Sequence, residues 1–392
     1  GHGLYYTFAV FGVGVILGLD TLISQAYGRG DIADCRRSLA GGLVTSLLVA
    51  PPLIALVWAM GPVMDKFGID AALKTDTQGY LRAVSWGTLP LMFYASFRRF
   101  LQAQNVVRPV MFALVTANVV NILANWVLIF GKLGAPALGA AGSGYATSLA
   151  RFYMAGVLLS VIVARFGWEG WMVWPGWDRV RDVVRLGVPV GVQISFEVAV
   201  FAVVTVMLGT LGPVALGGHQ IALNLASLTY MIPLGISSAT AVRVGQAVGR
   251  VDRAGAKRAG WVGICLGSGF MTLAAIVFWT APELVAGAYT EDAEVVAMAS
   301  SLLVIGAFFQ LFDGIQTVAT GALRGLGDTR TPMLAHLICY WAIGLPLGWW
   351  LTYPQGWGAR GFWAGLSAAL ILIGTILLAA WRSRINKKEI WS

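Results

Sequence analysis

Long apolar runs, separated by short polar and often basic connections, recur along the whole chain. A helix needs about 20 predominantly apolar residues to cross a bilayer. Runs of that order fall at 1–27, 37–60, 80–101, 109–130, 139–164, 186–211, 213–242, 259–281, 295–322, 333–352 and 360–381, so eleven membrane helices are expected. The run at 213–242 is longer than a span requires and contains Pro233 and Gly235, which predicts a kink or a tilt.

Composition agrees with the pattern. The 392 residues are 58% hydrophobic and 11% charged, with a mean hydropathy of +0.75, whereas a soluble domain carries about 25% charged residues. A polytopic, all-helical membrane protein follows. The first residue is not Met and no signal-peptide pattern is present, so a trimmed N-terminus is expected. Cys35, Cys265 and Cys339 are widely spaced, form no disulfide or metal pattern, and read as inert filler.

Charge fixes the expected orientation. Arg29, Arg36 and Arg37 lie in the first connection, Arg98, Arg99 and Arg108 in the third, and Arg165, Arg179, Arg181 and Arg185 in the fifth. Arg243, Arg250, Arg253, Lys257 and Arg258 surround the seventh, Arg324 and Arg330 the ninth, and Arg382, Arg384, Lys387 and Lys388 close the chain. By the positive-inside rule these connections and the C-terminus are cytoplasmic. The net charge of +9 is accounted for by this bias and does not indicate nucleic-acid binding.

An internal repeat organises the runs. "QAYGRGDIADCRR" at 25–37 matches "QAVGRVDRAGAKR" at 246–258, and "LQAQNVVRP" at 101–109 echoes "LRGLGDTRTP" at 323–332 with one inserted residue. The second copy has one more helix, 186–211, before its matching element, so a first helix is expected to precede Gly1. Two six-helix lobes result. Six is even, so both copies enter the membrane from one side, related by a pseudo-twofold axis along the membrane normal with the substrate path between them. The expected division is an N-terminal lobe at 1–166 with five helices present, a cytoplasmic linker at 167–185, a C-terminal lobe of six helices at 186–382, and a cytoplasmic tail at 383–392. Trp168, Trp171, Trp174 and Trp177 suit an interfacial position in the linker.

Away from the ends of the runs stand four charged residues: Asp20, Arg151, Glu197 and Asp313. On insertion scales each costs ~2.5–3.5 kcal/mol at the bilayer centre, which marks them as candidates for function. Glu197 follows Arg185 by twelve residues and Asp313 precedes Arg324 by eleven. At the helical rise these lie roughly 18 and 16 Å from the same side, near one depth. With no basic residue at that depth in their half, they are expected to share a pocket and either to be protonated or to hold a cation. Helical spacing adds Phe309, Gln310, Gln316 and Thr317 to the Asp313 face, and Gln193 and Phe201 to the Glu197 face. In the next helix Gln220, Asn224, Ser227 and Met231 form one stripe with Tyr230 beside it, supplying dipoles and aromatic faces for a cation. Asn118, Asn121 and Asn125 read as packing, and His219 as a hydrogen-bonded structural histidine. Asp20 is expected to brace a helix terminus. Arg151 is expected to be paired structurally, with an acid preceding Gly1 or with Asp20.

Walker, HExxH and GxSxG motifs and Cys/His metal clusters are absent from the sequence. No cofactor is expected, and energy has to come from an ion gradient or an external ATPase.

"GLDTLISQAYGRGD" (18–31), "ALGGHQIALNLASLTYMIPLGISSATAVRVGQAVG" (215–249) and "FQLFDGIQTVATGALRGLGDTRTP" (309–332) resemble the multidrug and toxic compound extrusion (MATE) transporters, in their NorM-like branch. The resemblance runs through nearly the whole chain. It implies a two-lobed, twelve-helix secondary antiporter, not an enzyme, exporting small cationic or amphiphilic organic compounds by alternating access. The family setting is a multi-pass protein of the bacterial inner membrane, expected to be a monomer in its lipid bilayer. Glu197 in "ISFEVAVF" and Asp313 in "FQLFDGIQ" match the acids that bind the coupling Na⁺ or H⁺ in that branch, and Tyr230 falls where it has an aromatic residue beside the cation. Phe309 stands where some members have tyrosine, which removes a hydroxyl and favours H⁺ over Na⁺. Two other readings are a lipid-linked oligosaccharide flippase of the wider superfamily and a membrane-embedded enzyme. The first wants a large basic cavity, and Arg151 is the only basic residue deep in a span. The second wants a nucleophile or metal constellation.

Overall fold

The structure, a computed structural model, describes residues 2–66, 71–167, 174–387 and 391. Trp168 and Trp171 of the expected linker and Lys388 of the tail lie outside the described residues. The protein is 87% helical and has no strand among the described residues. Trp174 and Trp177 meet edge to face at 5.7 Å and are largely exposed, as an interfacial pair would be.

Two compact units divide the chain, residues 1–195 and 196–392. The first contains α1 (His2–Ile16), α2 (Leu19–Gly28), α3 (Ile32–Lys66), α4 (Ala71–Ser85), α5 (Thr88–Ala103), α6 (Arg108–Phe130), α7 (Gly139–Phe166) and the opening turns of α8 (Trp177–Gly209). Residues 177–185 of the expected linker are thus the first turns of a membrane helix. The second unit holds the rest of α8, then α9 (Pro213–Gly249), α10 (Arg253–Thr280), α11 (Pro282–Gly287), α12 (Ala293–Gly325) and α13 (Arg330–Leu337). A π-helical segment (Ile338–Gly344), α14 (Leu345–Thr352) and α15 (Ala359–Arg384) complete it.

Ten helical segments among the described residues are long and apolar enough to cross a bilayer. The eleventh expected span, 80–101, is built from the end of α4 and the whole run of α5, separated by a turn at Trp86 and Gly87. Pro90 supplies the reason. It has no N–H to return to the Trp86 carbonyl, so the helix ladder is interrupted there. Outward-facing side chains such as Val115 and Ile122 remain 65% and 66% exposed. Apolar faces of this kind are a liability in water and are at home in lipid.

The sequence repeat is also a repeat of turn geometry. After α2, Gly30 takes φ +77°, the Asp31 N–H bonds Ala26 O at 3.0 Å and the Gly30 N–H bonds Tyr27 O at 3.0 Å. After α9, Val251 takes φ +57°, and Asp252 and Val251 make the corresponding bonds to Ala247 and Val248 at 2.9 Å each. This is the Schellman arrangement, which satisfies the last carbonyls of a helix. It occurs again at Asn105 and at Gly327, the second pair of matched segments. In three of the four turns the next residue is an aspartate that caps the following helix. Asp31 accepts from Asp34 N, Asp252 from Gly255 N, and Asp328 from Thr331 N, at 2.8, 2.8 and 3.0 Å.

Asp20 and Arg151 find different partners. Asp20, in the first turn of α2, forms a buried ion pair with Arg99 of α5 at 3.4 Å. Arg151 does not pair with Asp20. It donates to Tyr5 Oη at 2.6 Å and Val84 O at 3.4 Å, and its guanidinium lies over the Tyr5 ring, 4.8 Å from the centroid. The asparagines of α6 are turned back on their own helix, Asn118 to Leu114 O and Asn125 to Asn121 O, both at 2.9 Å.

Candidate functional site

α12 packs against α9, α10 and α15 and buries most of its second half. Asp292 starts it by accepting from the backbone N–H groups of Glu294 and Val295 at 3.0 and 3.3 Å. Farther along, Gln310, Asp313, Gln316, Thr317 and Thr320 recur at three- to four-residue spacing and are all buried. Two contacts set the position of this stretch. Ser237 of α9 donates to the Thr317 carbonyl at 2.7 Å. Gly314 crosses Gly267 of α10 so closely that a Cβ on Gly314 would stand 2.9 Å from the Gly267 carbonyl oxygen. Small residues at crossings let membrane helices approach to this distance.

The polar atoms then join into one network with Gln316 at its centre. Gln316 Nε2 donates to Asp313 Oδ1 at 2.9 Å and to Thr317 Oγ1 at 3.0 Å. Its Oε1 lies 2.8 Å from Nε2 of His336 on α13. The other ring nitrogen of His336, Nδ1, lies 2.8 Å from the Pro332 carbonyl oxygen. Glu197 of α8 enters from another direction, with Oε2 3.9 Å from His336 Nε2 and a side chain 16% exposed. Glu197, Asp313 and Tyr230 of α9 are near enough to one another to interact electrostatically.

Aromatic rings close over this network. The Tyr340 ring is 6.0 Å from His336, the Phe201 ring is 6.1 Å from Tyr340, and Trp341 donates to Phe196 O at 3.2 Å. Tyr340 and Trp341 belong to the π-helical segment, a departure from the regular ladder that is frequent at functional positions.

Removing a carboxylate from water costs several kcal/mol unless partners replace the hydration. Among the described residues neither Glu197 nor Asp313 is ion-paired with a lysine or arginine. The structure adds a titratable neighbour that the sequence reading did not count: the imidazole of His336 lies 3.9 Å from Glu197 and is joined to Asp313 through Gln316. Sequence reasoning did not single out His336, nor Thr229 or Ser237. A lone histidine inside "TPMLAHLICYW" has no periodic signature, and only its rarity, as one of three histidines, marks it.

The other candidate positions are placed as follows. Gln193 is buried one turn before Glu197 on α8. Gln310 Nε2 donates to Thr229 Oγ1 at 3.1 Å, while its buried Oε1 has no hydrogen-bond partner among the described residues. Phe309 is buried with its ring 5.9 Å from that of Trp363. Asn224 is exposed and accepts from Tyr289 Oη at 2.9 Å, on a face of α9 shared with Gln220, Ser227 and Met231 that, among the described residues, has no hydrogen bond to the Gln316 network. His219 accepts at Nδ1 from the Trp363 indole N–H at 3.1 Å, which leaves Nε2 to donate to Thr205 Oγ1 at 2.8 Å and holds the ring in one neutral tautomer. No group of three or more His, Cys, Asp or Glu that could hold a metal ion occurs among the described residues.

The sequence profile of the MatE family matches residues 3–127 and 189–350. Relatives include a probable multidrug resistance protein NorM of Mesorhizobium japonicum, 36% identical over 396 residues, which spans 98% of this chain and 85% of that protein. Another, with the same description, is from Deinococcus radiodurans and is 37% identical over 382 residues, spanning 96% of this chain and 84% of that protein. Among solved structures, the eukaryotic MATE transporter AtDTX14 superposes with a TM-score of 0.87 at 20% identity, over 99% of this chain and 88% of that one. The Vibrio cholerae MATE transporter VcmN in its bent form gives 0.85 at 15% identity, over 99% and 87%. At these identities the structures demonstrate a common fold.

Proposed function

Since the chain belongs to the MatE family, we propose that it is a proton-coupled exporter of cationic or amphiphilic organic compounds. Membership places it among multi-pass membrane transporters, which are not enzymes. The observation that carries the proposal is the pairing of Glu197 and Asp313 in one enclosed network without a lysine or arginine on either.

Two buried carboxylates that repel each other are relieved by a proton or by an organic cation, and both occupants compete for the same negative charge. Protonation neutralises the site from the side of high proton concentration. Release of that proton on the other side restores the charge and admits the cationic compound, which then leaves in exchange. A ligand moves such an equilibrium only by binding one state better than the other, and competition for one pair of acids provides that difference. Tyr230 and Phe201 supply the aromatic faces on which an organic cation rests. The proton is preferred to sodium because Phe309 is packed on Trp363 and brings no oxygen to the site.

The test is efflux in a drug-sensitive cell carrying Glu197→Gln or Asp313→Asn. Each removes a charge-assisted interaction of about 1.5–3 kcal/mol, so resistance is expected to fall about tenfold or more. Wild-type resistance in both variants, at equal expression, rejects the proposal.

A further inference from the structure

His336 has an acceptor at each ring nitrogen: the Pro332 carbonyl oxygen at Nδ1 and the Gln316 amide oxygen at Nε2, both at 2.8 Å. A neutral imidazole donates at one nitrogen only. The Gln316 amide cannot turn over to offer its N–H₂ to the ring without pointing its oxygen at Asp313 Oδ1, now 2.9 Å from its nitrogen. An amide oxygen facing a carboxylate oxygen is tolerated only when the acid carries a proton. The hydrogen bonds therefore allow two arrangements with the same number of protons. In one, Asp313 is ionised, the Gln316 N–H₂ faces it, and His336 is an imidazolium. In the other, Asp313 is protonated and donates to Gln316 Oε1, the N–H₂ faces Nε2, and His336 is neutral. His219 offers the contrast within the same unit, since a donor at Nδ1 fixes it as neutral.

We infer that His336 is a proton-holding group of the exchange site, coupled to Asp313 through the Gln316 amide so that an imidazolium accompanies the ionised acid and a neutral ring the protonated one, and that it sets the proton concentration at which exchange runs. The inference rests on the reading of Glu197 and Asp313 as proton carriers and adds a third proton-holding group to them. The groups facing His336 are Glu197 from α8, Asp313 through Gln316 from α12, and Tyr340 from the π-helical segment, with Tyr230 of α9 and Arg324 of α12 the further titratable and charged groups whose field is felt there. An imidazolium there would meet the Glu197 carboxylate and the acceptor oxygens of Pro332 and Gln316.

The test uses the purified chain in proteoliposomes, with ethidium as the probe cation and ethidium-driven proton movement followed against pH. His336→Gln keeps a donor toward Gln316 Oε1 but cannot carry charge. It is expected to move the pH midpoint upward by about one unit or more, because the carboxylates lose a compensating charge. Gln316→Leu is expected to move it in the same direction, and the double variant no farther, since the two act as one unit. A His336→Gln profile superposed on wild type, with Glu197→Gln and Asp313→Asn inactive, overturns the inference and leaves the exporter reading standing. Normal exchange by both acid variants removes the exporter reading itself. Nitrogen-15 spectra of labelled histidine read the ring directly without a His336 variant's folding being at issue. One doubly protonated ring, lost in Asp313→Asn, is expected, and a neutral His336 in both proteins overturns the inference.

Discussion

Charged side chains in this chain stay at membrane depth only where another group meets them. Asp20 and Arg99 form a buried ion pair in the first unit, with side chains 1% and 10% exposed. Breaking a buried pair on one side leaves an uncompensated charge and costs about 3–5 kcal/mol. Asp20→Ala and Arg99→Ala are each expected to lower the thermal midpoint of the purified protein strongly. The double variant should lose less than the sum, and strict additivity would show that the pair is not coupled. Arg151 is met differently, by a hydroxyl, a carbonyl and the face of Tyr5. Glu197 and Asp313 are met by an imidazole and an amide, partners that can change protonation or direction. That difference is what the proposed exchange at Glu197 and Asp313 draws on, whereas Asp20 is held in a buried ion pair.

At the scale of elements, the connections on the basic side use one device four times: a left-handed residue closing a helix, followed in three cases by an aspartate opening the next. Asp252→Ala removes the acceptor for Gly255 N–H and is expected to cost about 1 kcal/mol, read as a lowered thermal midpoint with transport retained. The crossing of α12 with α10 is more sensitive. Gly314→Val places carbon against the Gly267 carbonyl and Met271, whereas Gly269→Val, on the same α10, meets nothing within 4 Å. The first is expected to lower stability by about 1–3 kcal/mol and to abolish efflux by shifting the Asp313 face. The second should behave like wild type. Equal behaviour of the two would mean that this close crossing does not position the site.

For the whole molecule, the exchange scheme predicts which gradient does work. Proteoliposomes loaded with ethidium are expected to expel it when protons are more concentrated outside, and to be indifferent to a sodium gradient at constant pH. Sodium-driven efflux would transfer the coupling role to a metal ion and remove the proton from the scheme. The ten spanning segments and the exposed apolar side chains, such as Ile122 and Leu228, make the bilayer the solvent in which such a gradient exists.

The amino-acid sequence alone determined the membrane class, the spans, the repeat and the two acids, because apolar run length and a stray carboxylate are visible one residue at a time. It also showed the family through Glu197, Asp313 and the matched turns. Run length alone left 80–101 as one span, although Pro90, visible in the sequence, lacks the N–H for the Trp86 carbonyl and breaks the helix at Trp86 and Gly87. The sequence could not pair Asp20 with Arg99 or place His336 against Gln316. Those contacts join residues 79 and 20 positions apart on different helices. Which side chains meet there depends on how the helices rotate and cross, and only tertiary packing decides that.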